Sequence, residues 1–189
     1  MAGGLQELKE RSESGPHSTW WSFPRRRATF LEVDRRADIV VISRSTGRPQ
    51  LVVEVKRPGQ ADAIEGATQQ LRDYMHRAGV PLGLLVVGSR MRFLRDSFTG
   101  AARDSIELAW EAATDGVPAL RPPQDQTPTA GFEYASRVQE WLESLRDPLV
   151  LARLPEALRV RMAADVVPVV EVGTVTAAGP RFEPRVRHP

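Results

Sequence analysis

Apolar and polar positions change their period several times along this chain, and each change marks an element. Over 29–38 the charged residues Glu32, Asp34, Arg36 and Asp38 alternate with Leu31, Val33 and Ala37, the two-residue period of a half-buried strand. The run Ile39-Val40-Val41-Ile42 is wholly apolar, as in a strand buried on both faces. Ser45-Thr46-Gly47-Arg48-Pro49 has the composition of a turn, and 51–55 is a second β-branched strand, so the two runs predict a hairpin. Pro58-Gly59 ends it. Helical spacing then takes over: Ile64, Ala67, Leu71, Met75 and Ala78 form one stripe, which predicts a helix over 61–78 closed by Gly79. Residues 82–87 read as a buried strand, Gly88-Ser89 as a turn and 91–94 as a shorter strand.

The flanking regions are less periodic. The opening to residue 22 is polar, with a short helix over 5–11, and 106–110 is a further strand. Four prolines in 118–128 mark a linker or surface loop, and 132–145 is an amphipathic helix with Tyr134, Val138, Trp141, Leu142 and Leu145 facing inward. The valine-rich run 164–175 reads as an edge strand or extended arm, and the ending from Gly179 as a loose basic tail. The chain thus divides into an N-terminal segment (1–28), a core (29–117), a proline-rich connection (118–129), a C-terminal helix and strand that pack on the core or bind a partner (130–178), and a tail (179–189). The expected class is α/β, a central mixed sheet of four or five strands flanked by helices, with its site at one sheet edge.

Composition narrows the function classes. A chain of 189 residues, 41% hydrophobic and 26% charged, is an ordinary globular domain with room for a small appendage. No apolar run approaches the roughly 18–20 residues that span a bilayer, and 1–9 lacks the apolar core of a secretory signal. The expectation is a cytoplasmic protein without a membrane partner. The absence of cysteine excludes disulfides and thiolate metal sites, and no glycine-rich loop of the Walker type provides an ATP-driven motor. The net charge of +2 is too small to argue nucleic-acid binding by itself. Of the 26 Lys and Arg residues only Lys9 and Lys56 are lysine.

Lys56 stands where chemistry is expected. Alternation along the second strand puts Glu54 and Lys56 on one face, and the hairpin brings Asp38 level with them. Among valines and isoleucines such charges are costly unless they pair or bind an ion. Two carboxylates suit Mg²⁺, which polarises a phosphate and lowers the pKa of a bound water. A neighbouring lysine positions that water and stabilises the charge that develops on phosphorus. Glu7-Leu8-Lys9 repeats Glu-x-Lys, but on a polar stretch with no upstream acid at suitable spacing.

Asp38, fifteen intervening residues, then Glu54-Val55-Lys56 resembles the Asp…Glu-x-Lys signature of the PD-(D/E)XK nucleases. Gln70-Leu71-Arg72-Asp73-Tyr74 on the following helix resembles the Gln-x-x-x-Tyr motif of one branch of that superfamily. Gly83-Leu84-Leu85-Val86-Val87-Gly88 with Arg92-Phe93-Leu94 is similar to the N-terminal nuclease domain of type I restriction subunits, whose core Holliday-junction resolvases share. The likeness covers residues 29–95, about a third of the chain. It implies a restriction-endonuclease-like core and Mg²⁺- or Mn²⁺-dependent hydrolysis of DNA phosphodiester bonds, in prokaryotic restriction, defence or repair. Asp38 and Glu54 would be metal ligands, helped by the Val55 carbonyl. Lys56 would activate water, Gln70 would orient the site or contact DNA, and Tyr74 would support it. An upstream helical glutamate is often a further ligand in that superfamily, and Glu7 and Glu10 are the candidates here, on an N-terminal segment shorter than the family usually has.

Other readings stand beside this one. Asp38, Glu54 and Lys56 also fit a salt bridge at the end of a hairpin, and Gln70 and Tyr74 a polar pair beside a helix core. Arg57 and Arg72 lie nearest the site in sequence and are candidate phosphate contacts, as are Arg25, Arg26 and Arg27. Trp20-Trp21 reads as buried aromatics ahead of a base-stacking platform, and His17, His76 and His188 as incidental. The rival to an enzyme is a nuclease-fold module that binds DNA or scaffolds a partner after losing catalysis. A second copy or a helicase or specificity subunit are the candidate protein partners.

Overall fold

The apolar hairpin forms as its pattern requires: β1 (Ile39–Ser43) pairs antiparallel with β2 (Pro49–Lys56). Gly47, at φ +66°, lets the chain reverse between them, and its N–H donates to the Ser43 carbonyl at 2.9 Å. This computed structural model describes residues 37–57, 63–99, 103–124 and 127–177. Most of the alternating run over 29–38 therefore lies outside the described residues, as do Arg25, Arg26, Arg27, Trp20, Trp21, Glu7, Glu10, Glu32 and Asp34. The described residues all belong to one compact unit.

From β2 the chain enters α1 (Ala63–Ala78), whose buried stripe is Ala67, Leu71, Tyr74 and Met75. The helix ends in the left-handed turn expected at Gly79 (φ +63°), with Val80 N–H donating to the Met75 carbonyl at 3.0 Å. It returns the chain to β3 (Leu82–Val87), which runs parallel to β2. Helix and strand meet closely at Gly83, where a Cβ would run into Met75 Sδ. β4 (Arg90–Asp96) and β5 (Ile106–Ala113) then add antiparallel strands, each longer than its apolar run suggests.

The C-terminal third departs most from expectation. The proline-rich connection is packed, not a free linker: Pro118–Leu120 forms a 3-10 turn, Leu120 is fully buried, and its carbonyl accepts from Tyr134 Oη at 2.9 Å. Thr127 caps α2 (Pro128–Ser144), accepting from Ala130 N–H at 3.3 Å. Three short helices follow, α3 (Pro148–Ala152), α4 (Glu156–Asp165) and α5 (Val167–Val172). Much of the valine-rich run is therefore helical, and only β6 (Gly173–Ala177) is a strand. It pairs antiparallel with β1.

The result is a six-stranded mixed sheet in the order β5-β4-β3-β2-β1-β6, flanked by helices. One strand more than expected changes the position of the site: β6 covers β1, so β1 and β2 are interior strands and not a sheet edge. Alternation sorts the strands into two faces. Ile39, Val41, Val53, Val55, Phe93 and Trp110 point to the main core against α2, α4 and α5. The Phe93 and Trp110 rings stack at 5.2 Å, and Asp165 of α4 accepts from Trp110 Nε1 at 2.7 Å. The opposite face carries α1. Among the described residues no helix is long and apolar enough to cross a membrane.

Two outcomes follow from this core. Leu142→Ala is expected to cost about 2–5 kcal/mol in urea unfolding, because Leu142 is fully buried. Leu149→Ala, at 68% exposure, is expected to change stability by no more than about 0.5 kcal/mol. Burial pushes the Tyr134 phenol up to about 12, against a small opposing effect of Arg137. The unfolded phenol ionises near pH 10, so the unfolded state holds fewer protons between about pH 10 and 12. The Tyr134 contribution is complete below pH 10 and declines as pH rises toward 12. Tyr134→Phe is expected to show a shallower loss of stability across that window in parallel denaturation curves.

Candidate active site

Register decides which charges meet. Ile39 pairs with Val53 across β1 and β2, so Asp38, one residue earlier, falls opposite Glu54, one residue later. Asp38 N–H donates to the Val53 carbonyl at 3.1 Å, and Asp38 Oδ2 accepts from Val55 N–H at 2.7 Å. The aspartate thereby extends the ladder with its side chain and is fixed at the open end of the hairpin. Val53 and Val55 are committed to the main core, so Glu54 and Lys56 point to the α1 face. There Glu54 is 3% exposed and its Oε1 forms an ion pair with Lys56 Nζ. Lys56 is only partly buried, with 26% of its side chain exposed.

Glu54 opens a row that crosses the sheet. Register places Leu85 beside it on β3, then Arg92 on β4 and Glu111 on β5. Arg92 donates from Nε to Glu111 Oε2 at 2.7 Å, and from one terminal nitrogen to Glu65 Oε1 at 2.6 Å and Thr68 Oγ1 at 3.0 Å. Burial alone would lower its pKa, but the hydrogen bonds to Glu111 and Glu65 outweigh that and hold it above the usual arginine value. Two β strands and the first turns of α1 are joined through this one guanidinium.

The same contact orients α1. Thr68 faces β4, so the flank carrying Thr68 and Arg72 looks toward β4 and β5. Gln70 is about 200° further round the helix from Thr68, on the flank toward β2 and β1 with Tyr74. Gln70 is half-buried and Tyr74 is 8% exposed. Asp38, Glu54 and Lys56 thus share one end and one face of the sheet, and Gln70 lies on the flank of α1 opposite Thr68.

Arg72 and Arg57 are not. Arg72 lines a cleft of about 460 Å³ with Gln69, Asp104, Ile106, Glu107 and Leu108, on the far flank of α1. Arg57 projects to the other face of the sheet, where it donates to the Thr127 carbonyl at 2.9 Å and lies against Gly131 in the first turn of α2. Both lie apart from the Glu54–Lys56 pair despite their closeness in sequence, because neither helix flank nor strand face is set by distance along the chain. His76 is exposed on α1. Sequence reasoning also missed the role of Arg92. Its signal was present in the alternation of Arg90 and Arg92 with Met91 and Phe93, which puts the arginines on the face of Glu54.

Among the described residues no three His, Asp or Glu side chains come together as a metal-binding group. Among the described residues, the oxygens near the hairpin end are those of two carboxylates and the main chain. That set fits a hard cation such as Mg²⁺, which takes one or two carboxylates and completes its shell with water and substrate oxygens. A carboxylate as buried as Glu54, with an ammonium against it, is further evidence that positive charge is required at this position. No protein-family model, characterised protein or solved structure matches the chain.

Arg92→Met should test the tie between α1 and the sheet. It removes the donor to Glu111 Oε2 and to Thr68 Oγ1, leaving Glu111 only its exposed partner Arg90, and is expected to cost about 1–3 kcal/mol in urea unfolding. Glu65→Gln, at a position where 75% of the side chain is exposed, is expected to cost no more than about 1 kcal/mol. Equal losses in the two variants would contradict the assignment of Arg92 as the tie.

Proposed function

We propose that this chain is a metal-dependent nuclease that hydrolyses DNA phosphodiester bonds on a restriction-endonuclease-like core. The observation that carries the reading is the register of β1 and β2, which sets Asp38 opposite Glu54 with Lys56 two residues along the same face. A hairpin followed by a helical crossover to a parallel strand supports it, as does the flank of α1 that carries Gln70. Fold likeness alone would not assign chemistry. The case rests on the residue types at this one end of the sheet.

Asp38, Glu54 and the Val55 carbonyl are the groups that would hold Mg²⁺ or Mn²⁺. When bound, such an ion supplies Lewis-acid polarisation of the phosphate and a water of lowered pKa. Lys56 would orient the attacking water and stabilise the negative charge gathering on the phosphoryl oxygens. Gln70 would hold the substrate phosphate or that water from the helix side. Water adds to phosphorus, the bond from phosphorus to the 3′ oxygen breaks, and the leaving oxygen takes a proton. The products are a 5′-phosphate and a 3′-hydroxyl. Rigid strands suit this work better than loops, since small displacements of catalytic groups are expensive.

The test uses supercoiled plasmid with Mg²⁺ or Mn²⁺, an EDTA control, and Lys56→Ala. The wild type is expected to nick or linearise the plasmid, EDTA to abolish the activity, and Lys56→Ala to slow it about 10²–10⁴-fold. Intact DNA that is nonetheless bound would favour a binding module over an enzyme. Equal nicking by Lys56→Ala would remove the site from the account.

A further inference from the structure

Glu54 and Lys56 are separated by one residue on a single strand, yet their exposure differs sharply. The glutamate is 3% exposed and fixed beneath α1, whereas the lysine side chain retains 26% of its surface and reaches the mouth of the site. Among the described residues, the neighbouring arginines are committed elsewhere. Arg92, further along the same row, is tied to Glu65, Thr68 and Glu111, and Arg57 lies on the opposite face against α2. Asp38 is held by Val55 N–H at the end of the ladder. Among the described charged groups at this end of the sheet, Lys56 combines an ion pair with a flexible stem and a partly open side.

We infer that Lys56 is the resident counter-ion of Glu54, and that a divalent cation drawn to Asp38 and Glu54 displaces the ammonium and turns it outward. The identity of the displacing ion rests on the nuclease reading; the counter-ion role rests on the ion pair itself. Two cations cannot share one carboxylate oxygen at contact distance without strong mutual repulsion. The strand is locked by its ladder and by the valines behind it, so the lysine, with four rotatable stem carbons and a strongly hydrated head, is the partner that moves. Displacement also delivers the ammonium to the open side of the site, where a substrate phosphate would arrive. Because lysine contact and metal binding exclude each other at Glu54, each weakens the other by the same factor.

The full-length chain serves for the test, as wild type, Lys56→Met, Lys56→Arg, Glu54→Gln and the Lys56→Met/Glu54→Gln pair. Thermal midpoints are measured in EDTA and in Mn²⁺, and Mn²⁺ binding is titrated by calorimetry. Lys56→Met is expected to melt about 5 °C below wild type in EDTA, to regain that loss in Mn²⁺, and to bind Mn²⁺ at least about tenfold more tightly. Lys56→Arg is expected to keep the wild-type midpoint in EDTA and not to share the tighter binding. In the Glu54→Gln background, loss of the lysine should cost nothing. The inference is overturned if Lys56→Met keeps the wild-type midpoint in EDTA, if its Mn²⁺ binding is no tighter, or if the loss persists with Glu54→Gln. It is equally overturned if Lys56→Arg tightens Mn²⁺ binding as much as Lys56→Met does. Exchange without plasmid nicking would contradict the nuclease and leave the counter-ion in place; nicking without exchange would do the reverse.

Discussion

A carboxylate at 3% exposure on a strand of valines must be neutralised by what lies immediately around it, and Glu54 is in that position. Bulk water cannot screen it, and moving such a charge out of water costs several kcal/mol unless a partner compensates. The surrounding arrangement follows from that need. Alternation sends Lys56 to the same face, register brings Asp38 opposite, and Asp38 in turn is restrained by the main chain of Val55. The result is a charged end to an otherwise apolar hairpin, held on a rigid support.

The remainder of the molecule keeps that support rigid. The main core binds the back of β1 and β2 to α2, α4 and α5 through Val53, Val55 and their neighbours. β6 closes the side of β1 that would otherwise present unpaired backbone groups, which makes the site-bearing strands interior ones. On the front, α1 is tied at one flank by Arg92 and packs closely at Gly83. Its other flank carries Gln70 and Tyr74. The C-terminal third is therefore part of the scaffold on which the site depends.

The parts legible in the sequence were those with local signals. β1, β2, α1 and β3 each carry a clear period, and Gly47 and Gly79 mark reversals that their positive φ values require. Asp38, Glu54 and Lys56 could be brought together because one hairpin and one alternation suffice. β6 was obscured because valines 166, 167, 169, 170 and 172 read as strand by propensity, while tertiary packing makes most of that run helical and leaves only 173–177 extended. Arg92 was obscured because a charge on a strand ordinarily faces solvent. Here only 12% of its side chain is exposed, and one partner, Glu65, lies 27 residues away on a helix that covers it. Arg57 and Arg72 follow Glu54 and Gln70 closely in sequence, yet strand alternation and helix phase send them to another face and another flank.

The claim that this end of the sheet is a metal-dependent hydrolytic centre is tested most directly by crystals grown or soaked in Mn²⁺, with anomalous scattering used to locate the ion. A single strong peak is expected within about 2.5 Å of carboxylate oxygens of both Asp38 and Glu54, with the Val55 carbonyl facing it and Lys56 Nζ withdrawn from Glu54. A saturating soak that leaves no peak there, with Lys56 still seated on Glu54, would contradict it.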